Sequence, residues 1–157
     1  GLKPHSRLDA FQLAEHLDIP VICPSKLGMR RIDVDNLLRN KSGWSATTVH
    51  MDGGKWILHN TSHSKDRQQS NIFHEIGHLL CGHEPQAHRA ENGLLRASYD
   101  KRQEDEAGWM GAYLHLPKSA LSYAKASNFS FDVTCEYYCA SPPMLRWRLN
   151  MARIKLK

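Results

Sequence analysis

A short segment in the middle of the chain carries residue types that can bind a metal ion and activate water. It reads His74-Glu75-Ile76-Gly77-His78, with two histidines four residues apart. On an α-helix such residues project from one face about one turn apart, so both imidazoles can bind one Zn²⁺ ion. Glu75 is rotated by roughly 100° from His74, which places it beside the metal position. A carboxylate there can act as the general base for a zinc-bound water.

The surrounding residues predict the helix that this spacing requires. From about Lys65 to Cys81, apolar residues recur with the period of an α-helix and form a single stripe. The stripe consists of Ile72, Phe73, Ile76, Leu79 and Leu80. Because His74 and His78 lie opposite the stripe, we expect the helix to bury one side and to turn the other toward a cleft.

A hydrolytic zinc site needs a third protein ligand and an open position for water. The candidates lie near the motif or on a second predicted helix over residues 101–115, and they are Glu104, Asp105, Glu106, His63, His83 and His115. Glu104 and Glu106 are separated by roughly 200° about that helix, so they cannot both face one point. Glu104 shares its side with Gly108 and Gly111, which would let a neighbouring backbone approach closely. The helical wheel favours Glu104 without deciding between the two glutamates.

The remaining pattern predicts an α+β fold with a small antiparallel sheet. Residues 44–51 and 55–59 indicate a β-hairpin around the turn Asp52-Gly53-Gly54, and strand 55–59 is expected to be an edge to which an extended substrate adds. Residues 84–100 are polar and predict a loop. The other predicted elements are a strand at 21–22 and helices over about 9–17, 32–38, 117–126 and 144–151.

Length and composition indicate one globular domain. The chain has 157 residues, of which 41% are hydrophobic and 24% charged, so we predict a single domain over 1–157 with a short helical tail at about 142–157. The apolar runs are far shorter than the roughly 20 residues that span a bilayer, and the start lacks a signal-peptide pattern, which favours a cytoplasmic protein without membrane contact.

The net charge of +5 reflects basic residues near the C-terminus. They are Arg146, Arg148, Arg153, Lys155 and Lys157. Such a stretch can contact nucleic acid, but a solvated helix face explains it as well, so direct nucleic-acid binding is the less favoured interpretation.

Three motifs together resemble the ImmA/IrrE family of zinc metallopeptidases. Residues 74–83 read HEIGHLLCGH, Glu104-x-Glu106-Ala107 follows, and Leu114-His115-Leu116-Pro117 comes next. In that family a HELGHxxxGH helix precedes a helix with the pattern ExEA(N/D)xFAxxLLMP. Residues 8–21, 56–60 and 131–150 also look similar to the corresponding family segments, so the resemblance covers nearly the whole chain.

The resemblance implies a zincin-like, minigluzincin-type domain with one metal ion. It implies that His74, His78 and Glu104 are the zinc ligands, that Glu75 is the catalytic base, and that no other cofactor is bound. Gly108 stands where the family has Asn or Asp. Because such a side chain could orient a ligand histidine, its loss predicts weaker metal binding or activity.

The resemblance also implies a function in gene regulation. Family members act inside bacteria as endopeptidases on a protein substrate, a helix-turn-helix repressor of a mobile element, phage or stress regulon. The alternative is a non-catalytic DNA- or partner-binding regulator with a vestigial metal site, which the basic tail and Gly108 would favour. An oxyanion-stabilising side chain is also expected, and the sequence does not rank the candidates His63, His115, Tyr137 and Tyr138.

Overall fold

A computed structural model describes residues 1–39, 43–51, 53–84, 86–89 and 95–157. Within these ranges the helices are α1 Ala10–His16, α2 Arg31–Arg39, α3 Lys65–Leu80, α4 Lys101–His115, α5 Lys118–Ala126, α6 Phe131–Tyr138 and α7 Pro142–Ala152. The strands are β1 Val21–Ile22, β2 Ala46–Met51, β3 Gly54–His59, β4 Gln86–Arg89 and β5 Leu95–Ser98. The predicted α+β class is confirmed. No helix in the described part of the chain combines the length and the apolar character that a membrane span requires.

The larger sheet of the described residues has three strands in the order β1-β3-β2. β2 and β3 form the predicted antiparallel hairpin, with Thr48 opposite Ile57. Gly53 has a φ of 75°, a conformation that glycine adopts without strain, whereas Asp52 of the predicted turn lies outside the described residues.

The prediction that strand 55–59 is an edge is wrong. Val21 of β1 pairs with Ile57 in parallel, on the side of β3 away from β2. The sheet is therefore mixed, and β2 is the outer strand beside β3. A two-residue strand is too short to predict as a neighbour from its own sequence, which is why the edge was misassigned.

Two further elements differ from the sequence-based expectation. The prediction of a loop over 84–100 is wrong at residues 86–89 and 95–98, because β4 and β5 pair antiparallel with Ala87 opposite Ala97. Polar side chains indicated a loop, but pairing uses backbone groups that every residue except proline offers. The helix α6 was not predicted, and its first turn is capped by Ser130, whose hydroxyl accepts a hydrogen bond from the Val133 N–H.

Among the described residues, the core consists of two apolar clusters. One joins α1, the sheet and α3, and comprises Ala10, Ala14, Ile57, Ile72, Phe73 and Ile76. The other joins α5, α6 and α7 and comprises Leu116, Ala120, Leu121, Ala124, Tyr138, Ala140, Leu145 and Leu149. Leu80 was predicted in the buried stripe of α3 but is 48% exposed, because α3 ends at this residue.

Two glycines allow α3 and α4 to pack with their backbones in contact. A Cβ atom on Gly77 would lie 2.6 Å from the carbonyl oxygen of Ala107, and one on Gly111 would lie 2.6 Å from that of Phe73. No side chain fits at either position without moving a helix. The close approach predicted for Gly111 is therefore confirmed, whereas that predicted for Gly108 is wrong, since a Cβ there would meet nothing within 4 Å.

Candidate metal centre

Three side chains from α3 and α4 meet at one point where the two helices face each other. The Nε2 atoms of His74 and His78 are 3.1 Å apart, and His74 Nε2 lies 3.1 Å from Oε2 of Glu104. His78 Nε2 lies 3.8 Å from the other Glu104 oxygen, Oε1. One donor atom from each of the three residues falls within 4.8 Å of the other two. The structure therefore brings together the three residues that the resemblance implies as ligands.

This donor set fits a Zn²⁺ ion. Two imidazole nitrogens and one carboxylate oxygen form a typical set for catalytic zinc, and ligands at about 2.0–2.1 Å around a tetrahedral ion lie roughly 3.3 Å apart. His78 is only 1% exposed, and burial, together with the nearby His74 and His83, lowers the pKa of His78 to about 4. The imidazole of His78 is therefore neutral at pH 7, as a metal ligand must be.

Glu75 lies beside the donor set in a buried position. It is 6% exposed, and the Thr48 hydroxyl donates a 2.8 Å hydrogen bond to its Oε2 atom. Burial raises the pKa of Glu75, while the Thr48 hydrogen bond and the charge of His74 oppose the rise. A carboxyl group whose pKa is moved toward neutrality can both accept and release a proton, which is what general acid–base chemistry requires.

The second glutamate of the ExEA motif contacts a different histidine. Oε2 of Glu106 lies 3.0 Å from Nε2 of His83, and Nδ1 of His83 lies 3.0 Å from Nδ1 of His78. The hydrogen bond from His83, and then the contact with Arg102, lower the pKa of Glu106. Asp105 forms an exposed ion pair with Lys101 at 2.7 Å. Among the described residues, Glu104 rather than Glu106 therefore belongs to the group of side chains that could hold a metal ion.

The remaining predicted site residues lie outside this cluster. His63 contacts the Asn71 side chain at 3.1 Å through its Nδ1 atom. The ring of His115 stacks on Phe73, and its Nε2 atom donates a hydrogen bond to the Tyr138 carbonyl at 3.0 Å. Neither histidine belongs to the donor set described above.

The two tyrosine candidates for the oxyanion-stabilising role also have other partners. Tyr138 belongs to the second core cluster, and its hydroxyl donates to the carbonyl oxygens of His5 and Ala120. Tyr137 is exposed and packs against Phe129. Neither of these contacts brings a tyrosine hydroxyl to the three side chains of the donor set.

Sequence reasoning missed a tyrosine at the site. The ring of Tyr99 stacks on the imidazole of His78, with the ring centroids 3.6 Å apart. Burial and the nearby Glu75 carboxylate raise the pKa of Tyr99, so the phenol keeps its proton at neutral pH. Tyr99 directly precedes Asp100, the N-cap of the helix that carries Glu104, and this position in the sequence could have indicated that Tyr99 lies near the site.

His78 has a hydrogen-bond partner even though residue 108 is glycine. An Asn or Asp at this position was expected to orient a ligand histidine, but the space beside the Gly108 Cα is open to 4 Å. His78 is instead hydrogen-bonded through its second ring nitrogen to His83. The glycine at position 108 therefore does not deprive His78 of its hydrogen bond, and this contact gives no reason to expect weaker metal binding.

Most of the chain matches one protein family. The family model for the IrrE N-terminal-like domain, Peptidase_M78, matches residues 14–150, a range that includes α3, α4 and all the side chains of the candidate metal centre. Neither the curated proteins nor the solved structures gave a significant match. The resemblance carried by the HEIGHLLCGH segment is confirmed, and the chain belongs to the IrrE N-terminal-like peptidase family.

Proposed function

We propose that the protein is a zinc-dependent endopeptidase. The observation that carries this proposal is the meeting of His74, His78 and Glu104 within 4.8 Å, with the buried carboxyl group of Glu75 close enough to interact electrostatically with His74 and Glu104. Membership in a peptidase family supports the same reaction class. The three donors would hold Zn²⁺ and leave a coordination position open for the reaction.

The chemistry of the proposed reaction divides between the metal and Glu75. When bound, zinc supplies Lewis-acid activation of the attacking water and of the scissile carbonyl. As the water oxygen bonds to the carbonyl carbon, Glu75 accepts a proton from it. Glu75 then delivers this proton to the amide nitrogen as the C–N bond breaks, so that one carboxylate serves both steps. Thr48 holds the carboxylate in place for both transfers.

We further propose that Tyr99 donates a hydrogen bond to the oxyanion that develops on the substrate. Replacing Tyr99 with phenylalanine keeps the ring that stacks on His78 and removes only the hydroxyl. Loss of one oxyanion donor is expected to lower kcat by about 10²-fold. The measurement is kcat at saturating substrate, with zinc content as a check that the site still binds its metal. Tyr137→Phe, at an exposed position, is the matched control; equal activity of the two variants would contradict the assignment.

The outer strand β2 is the proposed binding site for the substrate backbone. β2 pairs with β3 on one side, and Thr48, in the middle of β2, contacts Glu75. In the described part of the chain, no strand pairs with the side of β2 away from β3. An extended peptide that adds there through backbone hydrogen bonds would therefore pass next to the proposed catalytic base. This replaces the expectation that the substrate adds to residues 55–59.

Zinc content tests the metal site directly. The purified chain is expected to hold about one zinc ion, and Glu104→Ala is expected to weaken binding by more than the 10–100-fold typical of outer-shell residues, because it removes a ligand. Asp105→Ala on the same helix is the control, since Asp105 pairs only with Lys101 among its described ion pairs. Elemental analysis and competition with a chelator measure both quantities. If Glu104→Ala binds zinc like the wild type, the three-ligand site is wrong.

The proposed substrate is a protein, and the resemblance implies a helix-turn-helix repressor. The alternative, a DNA-binding regulator, depends on an exposed basic tail, and Arg148 of that tail is not exposed. Arg148 is buried, its Nε donates to the Leu116 carbonyl at 2.9 Å, and its guanidinium lies 3.9 Å from the centre of the Tyr113 ring. This side chain stabilises the packing of α7 rather than contributing to an exposed basic surface.

A further inference from the structure

A buried histidine outside the proposed ligand set connects His78 to a carboxylate. His83 is 6% exposed, and its two ring nitrogens contact different partners. Nδ1 lies 3.0 Å from Nδ1 of His78, and Nε2 lies 3.0 Å from Oε2 of Glu106. A continuous chain of hydrogen bonds therefore runs from the nitrogen of His78 that faces away from the donor set to the carboxylate of Glu106.

The chemistry of these groups determines where each proton lies. An ionised carboxylate only accepts hydrogen bonds, so the Glu106 contact requires a proton on Nε2 of His83. A neutral imidazole carries one proton, which leaves Nδ1 of His83 as an acceptor. That acceptor requires a proton on Nδ1 of His78. The lone pair of His78 is then on Nε2, the nitrogen that faces His74 and Glu104.

The end of α3 explains why His83 reaches this position. Gly82 has a φ of 67°, and the His83 N–H donates back to the His78 carbonyl at 3.0 Å. The Gly82 N–H donates to the Leu79 carbonyl at 3.2 Å, so the two bonds form a Schellman motif. The same turn thus joins His78 and His83 through the backbone and brings their rings together. Gly82 allows the chain to reverse there because it has no Cβ.

We propose that His83 and Glu106 are positioning residues that hold His78 with its proton on Nδ1 and the lone pair of Nε2 directed at the metal position. This inference rests on the proposed function, because the orientation of that lone pair matters only if the site binds a metal ion. It assigns separate tasks to the glutamates of the ExEA motif: Glu104 binds the metal, and Glu106 fixes the tautomer of a ligand through His83. Outer-shell partners of this kind are commonly carboxylates that contact the ligand directly, whereas here a second imidazole intervenes.

Nitrogen NMR of the full chain labelled at histidine tests the proton positions at pH 8, with and without zinc. The expected result is the Nδ1–H tautomer for His78 and the Nε2–H tautomer for His83, already in the metal-free protein. The informative variant is Glu106→Gln, whose side chain is half-exposed, so that folding is not at risk. The Gln amide can accept from or donate to His83, so both rings are expected to lose their single tautomer. An Nδ1–H tautomer at His83 in the wild type would overturn the proposal.

Zinc affinity provides the second readout. Glu106→Gln is expected to weaken binding by about 10–100-fold, as is typical when an outer-shell partner of a ligand is removed. Asp105→Asn, at the adjacent exposed carboxylate, is expected to bind like the wild type. An unchanged affinity in Glu106→Gln would overturn the positioning role. If the wild type binds no zinc, the metallopeptidase proposal fails, while the tautomers of the metal-free protein still decide whether the hydrogen-bond chain is correct.

Discussion

Replacing Glu75 with glutamine is expected to abolish most of the peptidase activity while leaving zinc bound. Gln has nearly the same shape and can still accept the 2.8 Å hydrogen bond from Thr48, so the site should keep its geometry. An amide cannot take a proton from the attacking water, and loss of a general base lowers rates by about 10²–10⁴-fold. The measurement is cleavage of a candidate repressor by the purified variant, with zinc content determined in the same sample.

The same variant separates the two proposed classes of function. A peptidase loses repressor cleavage in Glu75→Gln, whereas a DNA-binding regulator keeps salt-dependent binding to duplex DNA in this variant. Thr48→Val is a useful companion, since it removes the hydroxyl that holds Glu75 and should reduce cleavage less severely. Full activity of Glu75→Gln would exclude Glu75 as the base and remove the main support for the mechanism.

A single added methyl group at Gly111 is expected to destabilise the fold and the metal site together. A Cβ atom at this position would lie 2.6 Å from the Phe73 carbonyl oxygen, so α3 and α4 must move apart. Overpacking of this kind costs about 1–3 kcal/mol in the free energy of unfolding. Because His74 is on α3 and Glu104 is on α4, separation of the helices should also weaken zinc binding.

Gly108→Ala provides a control three residues away on the same helix. A Cβ atom there meets nothing within 4 Å, and replacing a helical glycine with alanine stabilises a helix by about 0.5–1 kcal/mol. The two substitutions add the same atom to α4 and are expected to change stability in opposite directions. Urea unfolding with a chelator present measures both effects without a contribution from metal binding. If both variants have the same stability, helix contact at Gly111 does not limit the packing.

Local sequence determined the chemistry on α3. The four-residue spacing of His74 and His78 fixes their common side because the period of an α-helix is a local property of the backbone. The same period places Glu75 next to them and identifies Ile72, Phe73 and Ile76 as the buried side. These features depend only on residues within two turns of each other, and for that reason the sequence predicted them correctly.

Tertiary structure decided which partners complete the site. The helical period separates Glu104 from Glu106 but does not say which one faces α3. That choice depends on the rotation of α4, which the backbone contacts at Gly77 and Gly111 restrict. Thr48 and Tyr99 reach the site from strands or strand ends that are distant in sequence, and their positions follow from packing against α3.

The sheet edge illustrates the same limit. The sequence by itself predicted the hairpin of β2 and β3, because a hairpin joins neighbouring segments through a short turn. It did not predict that β1 pairs with β3, since backbone groups pair in the same way whatever strand supplies them. Because this distant pairing occupies the other side of β3, β2, the strand that carries Thr48, is the outer strand next to the Glu75 carboxylate in the described part of the sheet.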